Sequence, residues 1–357
     1  MPPSVQAASF GRWLEERAGS VEQVSPGART ASDFGDPRCE HRALSEVCGL
    51  ADPAVLETVE VTGEDRRRFL NGYLTCEVAG LEPGQGTYGF FTDGKGRVLA
   101  DAVVAAAVGR FELRVPRGRR AALIGHLERF VLADRVEIRS RERELLAVVG
   151  PRAGKVLRAA GLPAPEAAWG CVEVAEEEIL VQRVAHRGAV AYLLAAGAGR
   201  GGDWAESLVE AGAVPAGWRA LETLRVEAGE PRFGADFDDG NLPQESGLED
   251  AVSYTKGCYL GQEVVARLHY RGRPQRGLVG LEIEADGPPE PGAGLSRGAE
   301  EVGRLGSAVR SLRWPPRILG LAVVHRKAAE PGTELVISSG GSARVRALPW
   351  TFDGGNP

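Results

Sequence analysis

The chain has 357 residues, of which 43% are hydrophobic and 26% are charged, and its formal net charge at pH 7 is −6. This composition is typical of a globular protein of two or three domains, and its acidic balance disfavours direct nucleic-acid binding, which needs excess lysine and arginine. No run of about 18 apolar residues predicts a membrane span, and no basic stretch followed by an apolar core predicts a secretory signal.

The five cysteines are widely spread and form neither a C-x-x-C pair nor a disulfide framework. We therefore expect free thiols in a reducing cytoplasm and no complete metal site.

The chain divides into three segments by pattern. Residues 1–50 mix glycine, proline, serine and aspartate, which predicts a loop-rich N-terminal extension with little core of its own. Residues 51–270 alternate strand and helix patterns, which predicts two α+β subdomains. In residues 271–357, short strands separated by glycine and proline turns predict a small C-terminal β-barrel.

The stretch "AGWRALETLRVEAGEPRFGAD" predicts a helix that ends at Gly229. Glu227 lies near the C-terminal end of that helix, where a carboxylate opposes the helix dipole. The residues alone favour an ion pair of Glu227 with Arg225 or Arg232 and leave a ligand-binding role open.

The octapeptide "KGCYLGQE", from Lys256 to Glu263, places a cysteine after a glycine and a lysine. Leu260, Val264 and Leu268 lie four residues apart, which predicts a helix that starts close to Cys258. A helix N-terminus and a nearby lysine would both favour the thiolate, so Cys258 is a candidate reactive group. The residues alone leave a buried structural cysteine equally open.

A basic strip begins in the same octapeptide and holds Lys256, Arg267, Arg271, Arg273 and Arg276. Its charge predicts a solvated face, a site for an anionic small molecule or a docking patch.

Several blocks of the sequence resemble a known protein family. "LRVEAGEPRFGAD", "LPQESGLEDAVSYTKGCYLGQEVVARLHYRG" and "RGLVGL" resemble the YgfZ-type branch of the folate-binding aminomethyltransferase superfamily, which also contains the T-protein of the glycine cleavage system. "DRRRFLNGYLTCEV" and "FFTDGKGRVLAD" are similar to the N-terminal blocks of that family.

The resemblance implies an α+β fold of two intertwined domains plus a C-terminal β-barrel, arranged around a folate cavity. It implies tetrahydrofolate or a one-carbon derivative as the cofactor, with Glu227 accepting hydrogen bonds from the pterin as a bidentate pair. We assign Arg225 and Tyr254 to the same binding site, and the basic strip to the glutamate tail of folate.

Our main hypothesis is a folate-binding accessory protein that supports iron–sulfur cluster assembly or repair and thereby tRNA modification. Its partners would be iron–sulfur enzymes or cluster carriers. Cys258 would be the functional thiol and Lys256 would keep it ionised. The remaining residues of the octapeptide would shape the loop, cap the helix or orient a ligand: Gly257, Tyr259, Gly261, Gln262 and Glu263.

The alternative hypothesis is a folate-dependent aminomethyl or methyl transferase. T-proteins carry an asparagine where this chain has Pro116, and a downstream aspartate that is missing between Phe111 and Phe130. True aminomethyl transfer is therefore not our first expectation, and it would need another carboxylate such as Asp236 or Glu245. A third hypothesis, an RNA-binding module on the basic strip, is disfavoured by the acidic total.

Overall fold

The computed structural model describes residues 9–186 and 189–352. The chain folds as two compact units and passes between them several times. Of the described residues, those numbered 9–71, 77–88 and 102–221 form unit 1, and those numbered 72–76, 89–101 and 222–352 form unit 2.

The helices are short, and the predicted helix that ends near Glu227 is confirmed as the seventh of them. Their bounds in the described part of the chain are α1 (Phe10–Arg17), α2 (Pro37–Glu46), α3 (Arg66–Asn71), α4 (Arg120–Glu128), α5 (Ala153–Ala159), α6 (Gly201–Glu210), α7 (Trp218–Glu227) and α8 (Gln262–Arg271). None of these helices is long and apolar enough to cross a membrane.

The strands form three sheets and a closed barrel. Their bounds are β1 (Ser20–Ser25), β2 (Ala28–Asp33), β3 (Gly49–Ala51), β4 (Leu56–Thr62), β5 (Gly86–Thr92), β6 (Val98–Ala107), β7 (Arg110–Pro116), β8 (Glu137–Arg141), β9 (Glu144–Val149), β10 (Cys171–Val174), β11 (Ile179–His186), β12 (Ala189–Ala196), β13 (Val214–Pro215), β14 (Arg276–Glu284), β15 (Gly294–Arg297), β16 (Glu300–Arg310), β17 (Ile318–His325), β18 (Glu334–Ile337) and β19 (Ser342–Arg346).

The sheet orders show which strands are neighbours. β1 and β2 form a hairpin, a five-stranded sheet has the order β5-β6-β7-β4-β8, and a six-stranded sheet has the order β10-β11-β12-β9-β3-β13. The predicted C-terminal barrel is closed in the order β14-β17-β16-β15-β18-β19, because β14 pairs with both β17 and β19. Closure leaves the barrel without an edge strand, and its interior is filled by aliphatic side chains such as Leu281, Leu305 and Val345.

The predicted loop-rich extension is wrong for the described residues 9–50. This segment contains α1, β1, β2 and α2, and its apolar side chains belong to the main core of unit 1. Phe10, Trp13 and Leu14 are 3% exposed each, and they recur at the spacing of one helix face. Trp13 also donates from its indole nitrogen to Glu206 on α6 at 2.8 Å, which fixes α1 against the rest of unit 1.

The predicted fold class, two intertwined α+β domains with a C-terminal barrel, is confirmed. The chain alternates between the units within β5, β6 and α7, so neither unit is a continuous piece of sequence.

Candidate functional site

The octapeptide lies in unit 2 and forms a turn that leads into α8. The helix begins at Gln262, and Gly261 is its N-cap with φ of 83°. The predicted helix start close to Cys258 is therefore wrong, because the left-handed conformation of Gly261 delays the helix by four residues. Since the helix dipole acts only within the first turn, it does not explain a reactive Cys258.

Cys258 is nevertheless exposed, as is Cys39, whereas Cys48, Cys76 and Cys171 are buried. Burial raises the pKa of Cys48 to about 11, so that thiol is neutral and inert at pH 7. Gly257, directly before Cys258, is also exposed, and a Cβ atom added to it would meet nothing within 4 Å. The peptide on the N-terminal side of the thiol is thus open to an approaching molecule.

Lys256 anchors the turn. Its Nζ donates to the carbonyl oxygens of Leu74 at 2.9 Å and Cys76 at 2.6 Å, and it lies 5.5 Å from the centroid of the Tyr259 ring. The ammonium group therefore positions the segment 72–76 against the octapeptide.

Gly261 docks on the turn that connects β5 with β6. A Cβ atom at Gly261 would lie 2.4 Å from the carbonyl oxygen of Asp93 and 2.9 Å from the Cα of Gly96. Thr92 Oγ1 also donates to the carbonyl of Leu260 at 2.5 Å. Two stretches that the sequence placed far apart, the octapeptide and "FFTDGKG", are thus one packed substructure.

Gln262 and Glu263 are the first two residues of α8. The backbone N–H of Gln262 donates to the carbonyl of Tyr259 at 3.1 Å, and Glu263 is exposed in the first helical turn. A carboxylate at that position interacts favourably with the helix dipole.

Tyr259 and Gln244 each carry a buried polar atom that has no hydrogen-bond partner among the described residues. Tyr259 is only 6% exposed, and its hydroxyl has no hydrogen-bond partner in the described part of the chain. Gln244 Nε2 donates to the carbonyl of Val265 at 2.8 Å and contacts the hydroxyl of Tyr254 at 3.4 Å, but its Oε1 is likewise without a partner there. An unsatisfied buried polar atom costs about 1–3 kcal/mol, so each of these two atoms marks a position where a polar ligand or a water molecule completes the structure.

Tyr254 connects these groups to an aromatic cluster. Its ring is stacked on that of His269, with the centroids 3.6 Å apart and the planes at 14°. Burial raises the pKa of Tyr254, and burial followed by the nearby Tyr254 raises the pKa of Tyr259, so both hydroxyls keep their protons at pH 7. Both can therefore donate hydrogen bonds.

Glu227 is buried, and its Oε1 accepts three hydrogen bonds, from Ser311 Oγ at 2.7 Å and from the backbone N–H groups of Leu312 and Arg313 at 2.8 and 2.9 Å. These donors explain a carboxylate at the C-terminal end of a helix. They also occupy one of the two oxygens that bidentate recognition of a ligand requires.

Arg225 is held by a buried network. Its Nε and Nη2 donate to Glu222, Nη1 donates to Asp236 and the carbonyl of Glu230, and Nη2 also donates to Ser307. All five N–H donors of the guanidinium are used, which leaves none for a ligand in this arrangement. Arg225 therefore holds α7, Asp236 and Ser307 together in this arrangement, and the ion pair considered between Arg225 and Glu227 is wrong.

The two alternative carboxylates, Asp236 and Glu245, also accept hydrogen bonds from neighbouring groups. Asp236 Oδ2 accepts from Arg225 and from the backbone of Arg232, while its fully buried Oδ1 has no partner among the described residues. Glu245 accepts from Asn241, the backbone of Leu242 and Arg276. Asp101, a partly exposed carboxylate on β6 in unit 2, is not among the acids that the sequence patterns single out.

The basic strip is not one surface. Lys256 and Arg276 bind groups within unit 2, whereas Arg267 and Arg271 on α8 and Arg273 just after it are exposed. No group of three or more histidine, cysteine, aspartate or glutamate side chains in the described ranges could hold a metal ion.

Comparisons with known proteins show the family to which this chain belongs. Residues 11–256 match the GCVT N-terminal domain, and the chain belongs to that family. It is 31% identical over 330 residues to an aminomethyltransferase from Geobacillus kaustophilus, covering 88% of this chain and 89% of that protein. It is 30% identical over 321 residues to an aminomethyltransferase from Rubrobacter xylanophilus, covering 88% and 86%.

Among solved structures, the glycine cleavage system aminomethyltransferase T from Bartonella henselae is similar to this chain with a TM-score of 0.84. The match covers 94% of this chain and 95% of that one at 24% identity, which shows the shared fold.

Proposed function

We propose that this protein binds a reduced folate through unit 2 and acts as a folate-dependent transferase of one-carbon units, related to the aminomethyltransferases. The similarity to two aminomethyltransferases extends along most of this chain and most of each of those proteins. The single structural observation that carries the proposal is the pair of unsatisfied buried atoms, Tyr259 OH and Gln244 Oε1.

A reduced pterin fits the chemistry of these atoms. Its ring presents N–H donors beside a carbonyl acceptor, so Gln244 Oε1 can accept from the ring and the Tyr259 hydroxyl can donate to it. The stacked rings of Tyr254 and His269 supply a flat aromatic surface beside Gln244. When bound, tetrahydrofolate supplies the nitrogen atoms that carry the one-carbon unit.

The other predicted ligand residues support this site in different ways. Glu227 holds the turn after β16, and Arg225 joins α7 to Asp236 and Ser307. We assign the exposed Arg267, Arg271 and Arg273 to the carboxylates of the folate tail, because an exposed cationic helix end suits an anionic chain.

Replacing the tyrosine hydroxyl tests the binding proposal. We expect Tyr259→Phe to weaken the affinity for 5-formyltetrahydrofolate about tenfold, because one hydrogen bond is lost, while the unfolding free energy is unchanged or rises by about 1 kcal/mol. The rise follows because the variant removes an unsatisfied buried group. Isothermal titration and urea unfolding measure the two quantities.

Tyr192→Phe is the matched control, since Tyr192 is a buried tyrosine of unit 1. We expect it to leave folate affinity unchanged. Equal affinity of Tyr259→Phe and the unaltered protein would remove the hydroxyl from the binding site. A large loss of stability in Tyr259→Phe would show that the hydroxyl has a partner within the fold.

A second candidate function is the accessory role in iron–sulfur cluster assembly or repair, as in the YgfZ-type branch. The exposed Cys258, held in a turn fixed by Lys256 and Gly261, favours it. Turnover of a lipoyl-bound aminomethyl donor distinguishes the two, since only the transferase forms product from it.

The thiol gives the accessory role its own test. We expect Cys258→Ser to lose most of the activity of cluster-containing enzymes in a deletion strain, whereas Cys39→Ser, which alters the other exposed cysteine, retains it. Full activity with Cys258→Ser at normal protein levels would contradict the accessory role of the thiol and leave folate binding unaffected.

A further inference from the structure

A second polar site lies in unit 1, on one face of the five-stranded sheet. Arg110, Glu112 and Arg114 alternate along β7, so their side chains share that face. Glu60 and Thr58 on β4 stand directly opposite Glu112 and Arg114. The side chains of Glu112 and Arg114 are both 0% exposed, which is exceptional for charged groups.

The buried charges do not balance. Glu112 forms ion pairs with Arg110 at 3.0 Å, Arg114 at 3.3 Å and Arg143 at 2.8 Å. Arg110 also pairs with Glu60 and Glu173, and Arg141 pairs with Glu60. The directly paired network therefore has three carboxylates and four guanidinium groups, and its net charge is +1: Glu60, Glu112, Glu173, Arg110, Arg114, Arg141 and Arg143. Glu178 is exposed, and it acts on the outer Arg141 without a direct ion pair among the described residues.

No thiolate supplies the missing negative charge. Cys171 lies close enough to Arg114 for the two to interact, but burial raises the pKa of the Cys171 thiol and keeps it neutral. Burial also lowers the pKa of Arg114, which shows that Glu112 compensates the guanidinium only in part. Leaving a buried charge incompletely paired is strongly destabilising.

Three hydrogen-bond donors in this network have no partner within the described residues: Arg114 Nε, Arg143 Nε and Thr58 Oγ1. The two guanidinium groups meet at the carboxylate of Glu112, and Thr58 faces Arg114 across the strands. Ala105 on the five-stranded sheet packs against Leu145 and Leu180 on the six-stranded sheet, and these apolar side chains limit the space.

We propose that unit 1 binds one small monovalent anion of the size of chloride at Arg114, Arg143 and Thr58. The anion accepts from the three unused donors and neutralises the excess positive charge, which a water molecule does not do. Ala105, Leu145 and Leu180 fill the neighbouring layer, which favours a small ion over a larger oxyanion.

Halide-dependent stability tests this site. In sodium chloride or bromide the melting temperature of the full chain is expected to rise with a saturable, single-site dependence, compared with sodium gluconate at equal ionic strength. Thr58→Val is expected to raise the half-saturating halide concentration at least threefold without lowering stability in gluconate. Thr62→Val, on the same strand, leaves the halide dependence unchanged.

Bromide also locates the ion. A crystal soaked in sodium bromide is expected to show an anomalous peak within hydrogen-bond distance of Arg114 Nε. Stabilisation that follows ionic strength alone, or a crystal with a water molecule and no anomalous peak at that position, would overturn the proposal.

Discussion

Replacing Gly261 with alanine is expected to destabilise unit 2 by at least about 2 kcal/mol. Alanine at a φ of 83° is strained, and the added Cβ atom would lie 2.4 Å from the carbonyl oxygen of Asp93. Because the clash is with backbone, no side-chain rotation relieves it. Faster amide hydrogen exchange in the peptides that cover 89–101 and 256–271 would show the loss in the expected place.

Gly257→Ala is the matched control in the same octapeptide, since nothing lies within 4 Å of its Cβ position. Its effect on stability is expected to stay within about 0.5 kcal/mol. If the two alanine variants were equally stable, the packing of the octapeptide on the β5–β6 turn would not be the reason for its second glycine.

Arg225→Met is expected to cost about 3–5 kcal/mol at pH 7, because it leaves two acidic groups of a buried network without their shared cation. Arg225 bridges Glu222 at 2.5 Å and Asp236 at 2.7 Å, and the Asp236 side chain is 0% exposed. The same exchange at Arg12, whose pair with Glu16 is largely exposed, is the control and should cost less than about 1 kcal/mol.

The pH dependence of this loss has a definite sign. Burial alone would raise the pKa of Glu222, but the charges of Arg225 and Arg232 outweigh it and lower the pKa to about 2, from an ordinary value of 4.5. The folded pKa is depressed, so the stabilisation is complete above pH 4.5 and disappears as the pH falls toward 2. The stability gap between the unaltered protein and Arg225→Met should therefore narrow below pH 4.5, whereas a constant gap would contradict the ion-pair explanation.

Local patterns predicted the elements whose determinants are close in sequence. The helix that ends at Glu227 and the barrel strands follow from apolar spacing and from glycine and proline turns, and both are present. The N-terminal segment was misjudged because Phe10, Trp13 and Leu14 stand among charged residues. Their helical spacing was visible, but most of the core that they join comes from residues 146–213, more than 130 positions away.

The candidate site likewise has features that the local sequence predicts and features that depend on long-range contacts. The octapeptide was recognisable as a motif, yet its start of helix was misplaced because the left-handed conformation of Gly261 depends on contact with Asp93 and Gly96. The five bonds of Arg225 and the unsatisfied atoms of Tyr259 and Gln244 depend on which groups the fold brings together. No local pattern encodes such long-range partners.

Titration of the unaltered protein with 5-formyltetrahydrofolate tests the central proposal most directly. Isothermal calorimetry should show saturable binding of one folate per chain, and Cys258→Ser should bind equally well because the thiol is outside the pterin contacts. The absence of saturable binding to correctly folded protein would contradict the assignment of unit 2 as a folate site.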